Sequence, residues 1–483
     1  VPDAPRAALV RQNMQLDVDG RLQMRYVRDI SNDEAVPDKV VSGVLRLGAG
    51  ALTLPAKGVI AEVQLPQVDV QQWQALGQRL KGMAPARAPL AEGAAAASQE
   101  DDPYAAFLPD HWDIRLDTVQ VRGMDIHNLH LSGSRTGARW RSQVSSSLLD
   151  GQLEYEQEAK GPGTIRARLS QLRVGQEGAD SKPGSSHDDA SGQEPGQLPA
   201  LDVVVEDLRW RQHSVGRLEV QAVNQRQADK SWWQLKNMVL SNDAASLQAS
   251  GDWGAQRSSG GGRRTELEMR LDLKDTGALL GRLGMAGVVR QGKGAVQGSI
   301  GWTGSPVSPD YASMDGKLHV DVGQGQFLKV EPGAAKLLGV LNLQALPRRL
   351  TLDFKDVFSA GFGFDFVRGD VLVSDGVAST TNLQMKGVTA AVLLEGRANL
   401  RDETQDLHVV VIPELNTTTM ALVTTAINPV IGIGTFLAQA LFKGPLTQAV
   451  TQEFDVSGSW SEPEVKRLNR RQETDPNAVG TPH

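Results

Sequence analysis

The sequence predicts a mainly β chain, laid out as one elongated antiparallel array with a few short helices. Three observations carry this. Apolar and polar residues alternate with period two over long stretches, Gly and Asp-Gly steps punctuate them, and a strand-end tryptophan recurs in similar surroundings. Strict alternation marks strands with one apolar and one wet face. At 483 residues the chain is also longer than a single globular core usually grows.

Thr265–Leu273 (TELEMRLDL) puts Leu267, Met269, Leu271 and Leu273 on one face and Glu266, Glu268, Arg270 and Asp272 on the other. Leu318, Val320 and Val322 alternate in the same way against Lys317, His319 and Asp321. Leu350, Leu352 and Phe354 follow, then Phe362, Phe364 and Phe366. The Asp-Gly steps at Asp150, Asp315 and Asp375 read as hairpin turns. SGDWG at Ser250–Gly254, GSIGWTGSP at Gly298–Pro306 and SGSWSEP at Ser457–Pro463 form a loose repeat, which favours an extended array over a closed globule.

Helical periodicity is confined to short pieces. Pro332–Leu346 is the longest, with Val70–Met83 and Asp275–Met285 as shorter candidates. Composition marks 84–102, 176–197 and 254–264 as linkers, too poor in apolar residues to order themselves. The expected organisation is therefore β segments at 1–83, 103–175 and 198–322, a C-terminal region at 323–466 with apolar helices at 415–443, and a polar tail at 467–483. Leu415–Phe442 reaches the ~20-residue length of a membrane span. Asn416, Thr417 to Thr419, Thr424, Thr425 and Asn428 dilute it, and Pro429 breaks it. Two short apolar helices are expected there, capping the array or touching a membrane.

Composition excludes several classes. A net charge of −7 provides no basic footprint, which sets nucleic acid aside as a partner. Aromatics at 5% with four Tyr are too few for the girdles of an outer-membrane barrel. Cysteine is absent, so there are no disulfides or thiolate metal sites. His127 and His130, three apart on a strand, point to opposite faces and make no shared metal site. The glycines at Gly260–Gly262 lack the strand and Lys-Ser/Thr of a phosphate loop. GKGAVQGS at Gly292–Ser299 leads into a strand, not a helix, and reads as a flexible turn. Carboxylates occupy wet strand faces, with no register of basic and acidic groups such as a β-helical lyase needs. Neither an enzyme, nor a cofactor, nor a metal is expected. The chain begins at Val1 without an initiator Met or a basic-flanked apolar segment, and reads as a fragment or a processed product.

One region carries a resemblance. Between Gly323 and Val465 lie a Gly-Ala-Ala-x-Leu-Leu-Gly helix at Gly333–Gly339 and its Leu-Pro-Arg-Arg-Leu exit at Leu346–Leu350. The GFGFDF strand at Gly361–Phe366, the turn at Gly369–Gly376, the Glu395–Leu415 block and the apolar stretch before the last strand FDVSGSW follow in order. This arrangement resembles the C-terminal region of AsmA-like envelope proteins of Gram-negative bacteria, most closely the YhdP-type members. The resemblance implies a long, highly curved β-sheet forming an apolar groove, and movement of phospholipid between inner and outer membranes. It also implies a periplasmic location, an inner-membrane anchor in a missing N-terminal helix, and a C-terminal end near the outer membrane.

Taken with the alternation, this assigns Leu267, Met269, Leu271, Leu273, Leu318, Val320, Val322, Leu350, Leu352, Phe354, Phe362, Phe364 and Phe366 to the lining of a lipid groove. Leu422, Ile427, Ile431, Ile433, Phe436, Leu437, Leu441 and Phe442 are assigned to membrane contact. The expected partners are phospholipid acyl chains, the inner leaflet of the outer membrane, and other envelope proteins. The alternative is an envelope scaffold of closed β-sandwich domains. Groove lining and sandwich core share one alternation, so the sequence marks the apolar face but not what it touches.

Overall fold

The computed structural model describes residues 10–30, 39–73, 75, 107–121, 124–158, 161–175, 198–227, 230–255, 263–306, 308–328, 362–387, 390–413 and 452–468. Alternating sequence becomes strand almost throughout. The strands are β1 (Arg11–Val18), β2 (Leu22–Asp29), β3 (Lys39–Leu47), β4 (Gly58–Asp69), β5 (His111–Val121), β6 (Met124–Thr136), β7 (Arg139–Ser145) and β8 (Leu149–Glu156). Next come β9 (Thr164–Val174), β10 (Ala200–Trp210), β11 (His213–Gln227), β12 (Lys230–Ser241), β13 (Ala245–Ala255), β14 (Arg263–Leu273) and β15 (Val289–Thr303). The series ends with β16 (Asp315–Phe327), β17 (Phe362–Ser374), β18 (Val377–Gly387), β19 (Ala390–Asn399), β20 (Thr404–Pro413), β21 (Gln452–Ser459) and β22 (Pro463–Leu468).

All belong to one 22-stranded sheet. Two compact units divide it, the first holding β1–β10 and the second β12–β22, with β11 split between them.

In the first unit each strand pairs with its successor, antiparallel except for β3–β4, β4–β5 and β9–β10. A parallel partner demands a crossover that carries the chain back to the starting edge. The low-complexity stretches 84–102 and 176–197 fall inside the connections to β5 and β10. Between those two crossovers β5–β9 form an antiparallel meander. From β12 onward, in the second unit, the observed pairs are all antiparallel neighbours.

Of the three Asp-Gly steps read from sequence as turns, only Asp375-Gly376 is one. Both residues have positive φ, 48° and 74°, as a tight two-residue turn between β17 and β18 requires. Asp19-Gly20, with φ 54° and 65°, makes a further turn between β1 and β2. Asp150 and Gly151 instead sit in β8 at a register shift, where Gly151 (φ 146°) absorbs a bulge. Asp315 starts β16, its carboxylate engaged by Arg264 at 2.9 Å and by the Asp375 backbone N–H at 3.0 Å. Gly292–Ser299 is likewise strand, the middle of β15. Its glycines fill the face between larger residues and do not break the ladder.

Asp275–Met285 yields a seven-residue helix, α1 (Thr276–Arg282), N-capped by Asp275, whose Oδ1 accepts from Ala278 N at 2.9 Å. Helical turns also occur at 70–73. The expected linker at 254–264 shrinks at both ends, because β13 runs to Ala255 and β14 starts at Arg263. The expected helix at 332–346, the strand at Leu350–Phe354, the apolar helices at 415–443 and the tail lie outside the described residues.

An aromatic ring laid over a glycine recurs across the sheet. A Cβ at Gly43 would meet the Tyr26 ring at 2.4 Å, one at Gly325 the Phe364 ring, and one at Gly387 the Phe362 ring at 2.2 Å. Flat rings on glycine cover backbone that has no side chain of its own to shield it.

Candidate functional site

Register turns the alternation into continuous cross-strand rows. In the second unit one row runs Ala249, Met269, Gly298, Leu318, Val371. Its neighbour runs Leu247, Leu271, Val296, Val320, Gly369. A third runs Ala245, Leu273, Gly294, Val322, Val367, Met385, Val392, Val411. Leu267 lies beside these, opposite Gly251 and Ile300. Seven of the residues read from sequence as groove lining, those on β14 and β16, thus share one apolar face.

That face is not uniform. Over β14–β17, Leu267, Met269, Leu271, Val296, Ile300, Leu318, Val320 and Val371 are only part-buried. The third row is drier: Leu273 is 7% exposed and Val322 8%, with Val367 part-buried. It packs with Leu279 and Leu280 of α1 and with Met285. α1 is held on β15 through Thr276, whose Oγ1 donates to Gly292 O at 2.9 Å. Over β19–β21 the face closes, with Val392, Leu394, Leu407, Val409, Val411 and Phe454 all buried in the same cluster. The structure therefore presents a part-open apolar strip beside a sealed block.

Val296, Ile300 and Val371 on the strip were not legible as lining. Glycines alternating with Val296 and Ile300 in β15 dilute the apolar signal there.

Phe362 and Phe364 belong to the buried cluster, and Phe364 meets Phe327 with ring centroids 5.1 Å apart. Phe366 does not join them. It pairs with Gly323 while Val367 pairs with Val322, so it faces away from the Val322–Val367 row. The guanidinium of Arg368 lies 4.9 Å from its ring, and Arg368 bonds Asp321 at 3.1 Å on the polar face. A register shift between Phe364 and Phe366 changes the phase of alternation, which the even spacing of the three phenylalanines conceals. Leu350, Leu352, Phe354 and the eight membrane-contact residues lie outside the described residues.

The opposite face is charged. Its rows across β13–β17 read Gln248, Arg270, Gln297, His319, Asp370 and Ser250, Glu268, Ser299, Lys317, Leu372. His319 Nδ1 lies 2.7 Å from Asp370 Oδ1, and this contact, with a second from Asn382, holds the Asp370 carboxyl below its usual range. In the first unit Glu154 contacts Arg141 at 2.8 Å and Arg166 at 3.0 Å, while Glu156 contacts Arg166 at 2.7 Å and Arg139 at 3.2 Å. Hydrogen bonds from Arg141 and from Arg166 are the leading reasons that the Glu154 and Glu156 carboxyls lie low. His127 approaches Thr118 and His130 approaches Asp113, each at 3.4 Å, so the two do not converge. Among the described residues no cluster of His, Asp and Glu has the geometry to hold a metal, and no helix is long and apolar enough to cross a membrane.

The first unit carries a matching apolar face. One row runs Met24, Leu45, Ala61, Trp112, Gly133, Ser142, Leu153, Ala167, Val203, from β2 to β10. The next row runs Ile114, Leu131, Val144, Gly151, Leu169, Val205.

The family model described as "YhdP protein" matches residues 4–465. The chain belongs to the YhdP family. A curated relative, "Intermembrane phospholipid transporter YhdP" of Escherichia coli (strain K12), is 24% identical over 412 residues, covering 85% of this chain and 31% of the relative. The chain thus spans less than a third of that family member's length. No solved structure matches.

Proposed function

We propose that this chain is part of a bridge-like carrier that moves phospholipid across the periplasm between inner and outer membranes, with acyl chains running along its apolar face. Family membership and the E. coli relative's description as an intermembrane phospholipid transporter support lipid transport in general. The observation that carries the mechanism is the strip of part-exposed apolar rows over β14–β17, walled on the other side of the sheet by charge. Exposing two acyl chains of roughly 16 carbons to water costs on the order of 25 kcal/mol at ~0.8 kcal/mol per CH₂. An apolar row that continues from strand to strand offsets much of that cost at each position, so a lipid can slide without crossing a large barrier. On this reading the work is transfer, not bond chemistry, and needs no cofactor.

The uncharged stretch Leu415–Phe442 fits contact with the inner leaflet of the outer membrane, since one apolar helical face in the interface suffices for reversible binding. Phe436→Asp with Leu437→Asp is expected to weaken liposome association and transport together. Liposome binding equal to the parent's removes the membrane-contact role.

Lipid extracted from the purified chain and identified by mass spectrometry tests the central reading. The expected result is stoichiometric co-purifying phospholipid, and a lipid-free chain that acquires none from vesicles overturns it. A second reading, an envelope scaffold with closed β cores, draws on the sealed block over β19–β21. It predicts no lipid at all.

A further inference from the structure

We propose a headgroup subsite on the apolar face of the first unit, where Arg135 and the indole N–H of Trp112 receive the phosphodiester of a glycerophospholipid. This inference rests on the lipid-carrying reading above and names the polar end of its ligand. By strand alternation Arg135 shares the face of Gly133 and Leu131, an unusual place for a cation. Its guanidinium lies 5.4 Å from the Trp140 ring centroid and 4.0 Å from Asp110, with 17% of the side chain exposed. Trp140 in turn packs on Trp112, centroids 5.3 Å apart. Gly133 permits this, since a Cβ there would fall 2.7 Å from the Trp112 ring.

The second, independent observation is Trp112 Nε1. The residue is 8% exposed, and its N–H has no acceptor among the described residues. A buried donor of this kind is rare in proteins and calls for a partner. Arginine suits a phosphate oxygen, because its planar fork gives charge-assisted bonds. Tryptophan suits the boundary where an apolar chain meets a polar head. The part-buried Ile114 and Leu131, opposite each other in the adjoining row, continue the apolar surface away from Arg135. A lipid with its phosphate at Arg135 would lay its chains there.

Native mass spectrometry of the whole chain, offered either phosphatidylglycerol or the phosphate-free diacylglycerol with the same acyl chains, tests this. Arg135→Gln and Trp112→Phe are each expected to weaken phosphatidylglycerol retention by roughly ten-fold, the scale of one lost charge-assisted hydrogen bond. Diacylglycerol binding is expected to stay at the parent's level. Variants that hold phosphatidylglycerol as the parent does overturn the subsite. A parent chain that binds neither lipid overturns the underlying carrier reading instead. Trp112→Phe keeps the ring and decides the matter should Arg135→Gln not fold. Competition by inorganic phosphate as effective as by the lipid would make this a free-anion site and also overturn the proposal.

Discussion

Val320 and Asp321 are neighbours in sequence and face opposite environments, one on the part-open apolar strip and the other bonded to Arg368. Val320→Asp discriminates between a lane and a closed core. On an accessible strip the carboxylate stays hydrated, and the expected cost is about 1 kcal/mol with lipid passage lost. In a sealed core an unpaired charge costs several kcal/mol and unfolds the region. Urea denaturation and a transport assay on the same variant separate the two, and a folded, fully active variant removes Val320 from the lane. On the polar face, the depressed carboxyls of Glu154 and Glu156 lend stability that is fully present above their ordinary value of 4.5. That stability is lost as the pH falls through their lower folded values. The thermal midpoint of Glu154→Gln is therefore expected to fall below the parent's at pH 7, with the gap closing in acid. A gap unchanged between neutral and acidic pH shows that the ladder's charge is not what stabilises.

Elements show where local signals hold and where they fail. Asp-Gly is a turn at Asp375-Gly376 because the two strands meet there in register and both residues take positive φ. The same dipeptide in β8 serves a bulge. A side chain at Gly376 would bring a Cβ within 2.3 Å of Tyr311 O. Gly376→Val is expected to destabilise the β17–β18 hairpin by about 1–3 kcal/mol through backbone strain, read as earlier hydrogen exchange at Val377 and Ser374. Exchange equal to the parent's would show that the turn tolerates the side chain. α1 illustrates a different point. Its periodicity is legible, but its role in sealing one row of the apolar face is a property of its place on β15.

At the scale of the second unit, the apolar face passes from a part-open strip over β14–β17 to a dry block over β19–β21. A lipid lane built this way has a preferred region. Photo-crosslinkers at Leu271 and Val320 are expected to capture phospholipid in cells, those at Glu268 and Asp321 to capture none, and one at Val409 to capture little. Equal yields from Val320 and Asp321 would sink the assignment of faces. Equal yields from Val320 and Val409 would show that the block opens during transport.

The sequence by itself determined which residues form strands and which side of each strand is apolar, because a two-residue period is a local property of the backbone. Leu267 to Leu273 and Leu318 to Val322 needed nothing else. It also carried the family, through motifs in the last third of the chain. Tertiary structure alone decided three matters. Phe366 left its phenylalanine neighbours because a register shift, set by pairing with the partner strand β18, reversed the alternation. Asp150 and Asp315 became strand and not turn because partners from β9 and β14 claimed them. The part-open and sealed stretches of one apolar face parted company because burial depends on what packs above a residue, and alternation has no access to that.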